Sequence, residues 1–384
     1  MKNKSNVTIF ISIVLFGILS FFILFFIYDP LQLFHKHLNN KNTLVDNMRQ
    51  QAAGIINNYE FDSVILGTSM LENTSSLEAS KILGGSFINI SASGFDFYER
   101  SVVLKYLLKK KKTKTIIYSL DSFSFFQQMN GDKSYPVHKF NYLYDENYIN
   151  DFKAYVNTKY LKCILTFSQS KKCIGMVTEL DRPNAWYKEQ KHEVRFGGID
   201  NWFKAKNNSQ IKEAIKKISK TVENIKNGNQ IDVSNIRAKV SKSKEYVDEN
   251  ILFYIKKYPN TKFILLFPPY SRLSYAMEAQ YEKDKFIIYK EINKYLANKS
   301  DEYENLSLFA WGNNSFVDKI KNYKDPLHYN HKINSWMLTS IKNNEGLLNS
   351  SNINKYLETF TQKSLSYDLI TIGNKIDNYL KSDK

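Results

Sequence analysis

A serine hydroxyl becomes a nucleophile when a base can take its proton and a third group holds that base in the right tautomer. Two short runs of this 384-residue chain could supply those parts, Gly67-Thr68-Ser69 and Asp325-Pro326-Leu327-His328. Ser69 directly follows SVILG (63–67), an apolar β-branched run, and precedes a stretch with helical spacing. A serine placed there can act as a helix N-cap or, exposed in the crevice at the carboxyl end of a central strand, as a nucleophile. In the second run Asp325 stands three residues ahead of His328, where its carboxylate can accept the Nδ1 proton and leave Nε2 facing Ser69. An isolated Asp and His at this spacing would serve equally well as capping or surface residues. The conjunction favours chemistry, because both runs fall on carboxyl-end loops of one predicted sheet. That chemistry is acyl transfer through a covalent acyl-Ser69.

The elements that must position these residues read as an α/β domain. SVILG (63–67), SFINIS (86–91), KTIIYSL (114–120), KFILLF (262–267) and LSLFAW (306–311) are short, apolar and rich in β-branched or aromatic residues, as strands buried on both faces are. Amphipathic stretches at 70–83 and 96–112 separate the first three. Strand and helix therefore alternate, which predicts a three-layer sandwich with a central parallel sheet of about five strands. The pattern breaks at 126–258, which is aromatic and turn-rich and then carries two polar helices near 209–227 and 236–257. We expect this mainly helical insertion to form a substrate-facing cap. The remaining divisions are a cytoplasmic tip and membrane helix (1–30), a juxtamembrane helix (31–60), the two parts of the main domain (61–125 and 259–345) and a helical tail (346–384).

Residues 7–28 are uncharged and apolar. About 22 residues at 1.5 Å each span roughly 33 Å, enough for the hydrocarbon core of a bilayer. Lys2 and Lys4 precede the run and Asp29 follows it, so the positive-inside bias places the main domain outside the cytoplasmic membrane. A cleaved signal peptide is the competing reading, but such apolar cores are shorter and end in small residues, whereas this one ends Phe25-Phe26-Ile27-Tyr28. The net charge of +16 points to a polyanion outside the membrane rather than nucleic acid, or else reflects a general richness in Lys, Asn and Ile. Lys109 to Lys112 is most simply a solvated helix end, with a polyanion contact as the alternative. Cys163 and Cys173 can pair in an oxidising compartment or remain free. Neither they nor the six His have metal-ligand spacing, and no metal or cofactor is expected.

On the motifs SVILGTSMLEN, NISASGFDFYE, IIYSLDSFSF, FPPYS and DPLHYNHKIN the chain resembles the SGNH (GDSL-like) hydrolase superfamily over most of residues 60–345, the insertion excluded. The likeness is greatest to its membrane-anchored branch, which includes the D-alanyl-lipoteichoic acid transfer protein and the alginate and peptidoglycan O-acetylation proteins. That resemblance implies an SGNH- or flavodoxin-like fold and an oxyanion hole formed by the amides of Ser69 and Gly94. Where the superfamily has a third donor, an asparagine, this chain has Asp121-Ser122. An ionised Asp121 would repel an oxyanion, so it must point away or the hole must have two donors. Asn73, expected one turn into the helix after Ser69, is a possible substitute donor or a surface residue. Tyr270 and Ser271, after Pro268-Pro269, could line the pocket. The tail beyond 345 is longer than the resemblance leads one to expect.

These readings converge on an extracytoplasmic serine esterase or O-acyltransferase acting on a cell-envelope glycan or anionic polymer, with an integral-membrane O-acyltransferase as a possible partner. The motifs do not separate hydrolysis from transfer. The alternative is a non-enzymatic scaffold or glycan-binding component of a cell-envelope modification complex.

Overall fold

The computed structural model describes residues 2–37, 42–126, 136–177 and 179–382. The start of the insertion, 127–135, lies outside them. Helix α1 (Lys2–Tyr28) is long and apolar enough over Asn6–Tyr28 to cross a membrane. It ends at a tight elbow. The buried Asp29 carboxylate accepts from the amides of Leu33, Phe34 and His35 at 2.9, 2.8 and 3.0 Å and from the Tyr155 hydroxyl.

Helix α2 (Met48–Asn58) clamps this elbow from the other side. Gln51 Nε2 donates to Leu31 O at 2.8 Å and Asn58 Nδ2 to Gln32 O at 2.7 Å. Gly54 makes the close approach possible: a Cβ there would lie 2.3 Å from Leu31 O and 2.4 Å from Gln32 O. Of the expected juxtamembrane helix at 31–60, only Met48–Asn58 is this helix, and it packs on the domain. It also carries Arg49, whose guanidinium is paired with both oxygens of the buried Glu99 at 2.6 and 3.0 Å.

The central sheet has six strands: β1 (Ser63–Leu66), β2 (Phe87–Asn89), β3 (Thr115–Ser119), β4 (Lys262–Phe267), β5 (Leu306–Ala310) and β6 (Leu347–Leu348). Their order is β2-β1-β3-β4-β5-β6. The first five run parallel, pairing Ser63 with Phe87 and Thr115, Ile117 with Ile264, and Leu265 with Leu308. All four residues of β1 are buried, the reason it reads as a continuous apolar run. The sheet is mixed, not wholly parallel as expected, because a two-residue strand beyond the predicted set, β6, pairs antiparallel with the edge of β5. Two residues leave too little pattern to register in a sequence.

Helix α3 (Ser76–Leu83) starts later than the expected 70, with Ser75 as its N-cap. Helix α4 (Phe97–Lys110) opens with a reciprocal capping box between Asp96 and Glu99. In the insertion, α5 (Thr158–Leu165) precedes a loop closed by a Cys163–Cys173 disulfide. Helices α6 (Ser209–Lys226) and α7 (Ile236–Val247) follow, α7 continuing through a π turn at Asp248–Leu252. After β4 come two helices, α8 (Arg272–Gln280) and α9 (Lys283–Glu302). Helix α10 (His331–Lys342) precedes β6. The tail forms α11 (Ile353–Leu365) and α12 (Leu369–Ser382) and folds back: Phe360 packs on Tyr275, Phe286 and Tyr289, and Gly373 meets Val222 of α6.

Candidate active site

The carboxyl end of β1 turns through Gly67, Thr68 and Ser69. Gly67 is required by crowding, since a Cβ would fall 2.7 Å from Leu71 Cδ1 and from Ser119 Oγ. Residues 70–73 form successive turns, so Ser69 is not the N-cap of a helix and Asn73 does not stand one turn into one. The turn is pinned from the opposite loop. The carbonyl of Met70 accepts from Tyr329 Oη at 3.0 Å and from Asn334 Nδ2 at 2.8 Å. Those groups flank His328, so the segment carrying the base also braces the segment carrying the nucleophile.

Between β5 and α10, Asp325 folds its own loop: its Oδ1 accepts from the amides of Leu327 and His328, each at 3.0 Å. The His328 ring lies with Nδ1 2.9 Å from both Asp325 oxygens and Nε2 2.9 Å from Ser69 Oγ. With the carboxylate accepting at Nδ1, that nitrogen carries the proton and Nε2 is free to accept from the serine. Burial alone would raise the Asp325 carboxyl. The His328 ring and its hydrogen bonds, with Lys324 behind them, instead hold it well below the usual carboxylate range. Ser271 fixes this loop, donating from Oγ to Pro326 O at 2.6 Å while capping α8. The three residues predicted from two distant motifs thus meet in one hydrogen-bonded relay.

The other candidates fall out differently. Gly94, at φ 64°, lies in the exposed turn after β2, and neither its amide nor that of Ser69 has a hydrogen-bond partner among the described residues. Two backbone donors are therefore open near the nucleophile's strand ends. Asp121 is fully buried and faces away from solvent, accepting from Thr68 Oγ1 at 2.7 Å, Ser119 Oγ at 2.5 Å and Arg100 Nη2 at 3.5 Å. Its charge is spent beneath the nucleophile turn. Tyr270 does not line a pocket either; it is buried, with its hydroxyl 3.4 Å from Asp121 Oδ1. Asn73 is a buried connector, its Oδ1 accepting from the amides of Trp186 and Tyr187 at 3.1 and 3.2 Å. A surface role for Asn73 is excluded by that burial.

Those last contacts bring in the insertion, whose site residues the sequence did not single out. Trp186 Nε1 donates to Ser69 O at 2.9 Å, and the indole lies edge-on to the His328 ring at 5.7 Å. Lys324, nearly fully buried, places Nζ 3.6 Å above the indole and 3.1 Å from His192 Nδ1. Burial lowers Lys324 to about 7, and burial together with Lys324 and Arg195 lowers His192 to about 4, so His192 accepts as a neutral ring. Behind the Ser93-Gly94 turn, Glu72 accepts from Ser93 Oγ at 3.0 Å, and burial raises its carboxyl to about 7. Beside the relay a cavity of about 330 Å³ is lined by Asp325, Leu327 and His328, Met277 of α8, and Glu213 and Lys217 of α6. That is the lower end of the size range for small-ligand sites.

The chain matches no protein-family model, and no curated protein matches it in sequence.

Proposed function

We propose that the protein is a membrane-anchored serine acyl-transfer enzyme, an esterase or O-acyltransferase with a three-layer SGNH-like domain, acting on an ester or thioester at the outer face of the cytoplasmic membrane. The observation that carries this reading is the Ser69–His328–Asp325 relay, with both hydrogen-bonded links at 2.9 Å. Ser69 Oγ attacks the carbonyl carbon as His328 Nε2 takes its proton, and Asp325 stabilises the imidazolium that forms. His328 then returns the proton to the leaving oxygen or sulfur, which departs and leaves acyl-Ser69. Water, or a hydroxyl of a cell-envelope glycan or teichoic-like polymer, attacks that ester with His328 again as base. The amides of Ser69 and Gly94 are the donors proposed for the oxyanion. The apolar span of α1 supports anchoring, and anchoring favours transfer to a polymer held at the same surface. The assigned steps require no cofactor.

The test is labelling with a fluorophosphonate, which captures activated serines. Wild type should label, and Ser69→Ala should not. Equal labelling of both would overturn the assignment.

A further inference from the structure

Phe152 of the insertion packs against α1 below its outer end. Its ring lies 5.0 Å from Phe22, 6.3 Å from Phe25 and 4.7 Å from Phe34, in edge-on and tilted contacts. Phe22 is six residues short of Tyr28, hence about 9 Å down the helix. The apolar span of 23 residues exceeds a hydrocarbon core of about 30 Å by only about 5 Å. With α1 spanning a bilayer, Phe22 therefore sits at least about 4 Å below the hydrocarbon boundary, and Phe152, in contact with Phe22 and Phe25, lies at that boundary. The main domain cannot stand clear of the membrane.

The residues flanking Phe152 suit that depth. Ile149 is 80% exposed, Val156 64% and Tyr148 50%, so a short segment shows solvent three large apolar side chains beside the helix end. At the last residue of α1, Tyr28 packs edge-on to Phe167 at 5.6 Å, and Phe167 and Leu165 are also exposed. Charge follows the same geography. Lys110 and Lys111 line a cavity of about 340 Å³ together with Phe26, Phe34 and Tyr148. Lys153, Lys159 and Lys162 are exposed along the segment, whereas its one acid, Asp151, is buried. The exposed acids Asp145 and Glu146 lie just ahead of the tip, Glu146 pairing with Lys109 at 2.6 Å, so the rim is mixed but net basic, and an apolar tip with such a rim matches a leaflet with acyl chains below and anionic headgroups above.

We infer that residues 148–167 form a second membrane contact, seated in the outer leaflet around the exit of α1 and favouring anionic lipid. The inference rests on the anchored reading of α1. It assigns the lysine run at the end of α4 to a headgroup layer and fixes which side of the main domain faces the bilayer.

The test uses the full chain reconstituted in vesicles of phosphatidylcholine with phosphatidylglycerol, carrying a phospholipid with a diazirine high on its acyl chain. After photolysis, crosslinks should fall on α1 and on 148–167, several-fold above those on Leu77 and Phe253, exposed apolar residues elsewhere. The double variant Ile149→Ser/Val156→Ser, whose positions are open to solvent and so tolerate polarity, should lose most labelling of the segment with α1 unchanged. Omitting phosphatidylglycerol should also reduce it. Labelling of α1 with 148–167 at the level of Leu77 overturns the second contact alone; absence of label on α1 overturns the anchored reading as well.

Discussion

The sheet edge and the insertion contribute to the same site in different ways. The sheet edge supplies the reacting groups through two loops braced against one another, with Met70, Tyr329 and Asn334 as the brace. The insertion supplies no reacting group. It lays Trp186 over the nucleophile's carbonyl and sets His192, held by Arg195, beside that ring, while Lys324 of the main domain lies over the indole face. Under the proposed reading, the reacting groups sit where the two loops brace one another, and the insertion only positions groups around them.

Substitutions can break or sharpen this division. If the sheet edge does the chemistry, Ser69→Ala or His328→Ala should each lower turnover of an activated ester by about 10⁶-fold, with the double variant scarcely worse than either single one. Asp325→Asn should lower it by about 10⁴-fold while leaving the fold intact, since the amide favours the wrong tautomer of His328; a loss under tenfold would mean that the carboxylate only shapes the loop. Asp121→Ala tests the floor beneath the site. It leaves the fully buried Arg100 without its carboxylate, so unfolding should become easier by about 3–5 kcal/mol in a denaturant titration.

Lys324→Met bears on the insertion through pH. The native state releases the Lys324 proton near 7 and the unfolded chain near 10.5, so the wild type should gain stability as pH rises between those values. Below about 7 both states are charged and the full cost of burial is present. The gain, about 1.4 kcal/mol per pH unit at most and so about 2–3 kcal/mol, should flatten in the variant when melting temperature is followed from pH 7 to 9. Trp186→Phe removes the hydrogen bond to Ser69 O and weakens the ring's contact with Lys324; a fall in turnover of about five- to tenfold, with fluorophosphonate labelling retained, would place the indole in positioning rather than chemistry.

How far each region was legible follows from the same contrast. Strands buried on both faces must be apolar along their length, so SVIL and KFILLF are readable without knowledge of their neighbours. The relay was readable because both short motifs fall on carboxyl-end loops of one predicted sheet and match the resemblance, although neither would stand alone. Trp186 was not, as its role depends on a chain path through DRPNAWYKEQ that has no period and no local signal. That Asp121 points away, one of the two alternatives left open for it, was not decidable for a related reason. Its position after β3 is local, but the direction of its side chain is set by Arg100 on α4 and Thr68 on the neighbouring loop. Asn73 and Tyr270 turned inward likewise, satisfying partners distant in sequence. An asparagine or a tyrosine in a loop does not announce that it is buried.

The bare backbone of Gly54 pressed against Leu31 and Gln32 has one more consequence. A flexible leash of n residues lets its cargo explore roughly 5–6 Å × √n. Here the elbow after α1 is bolted to α2 without slack, so under the anchored reading the catalytic serine works at a set height above the bilayer. If the proposed polymer acceptor is right, it must reach that height to react, and lengthening the leash by inserting glycines after Asp29 should change which part of the polymer is modified rather than how fast.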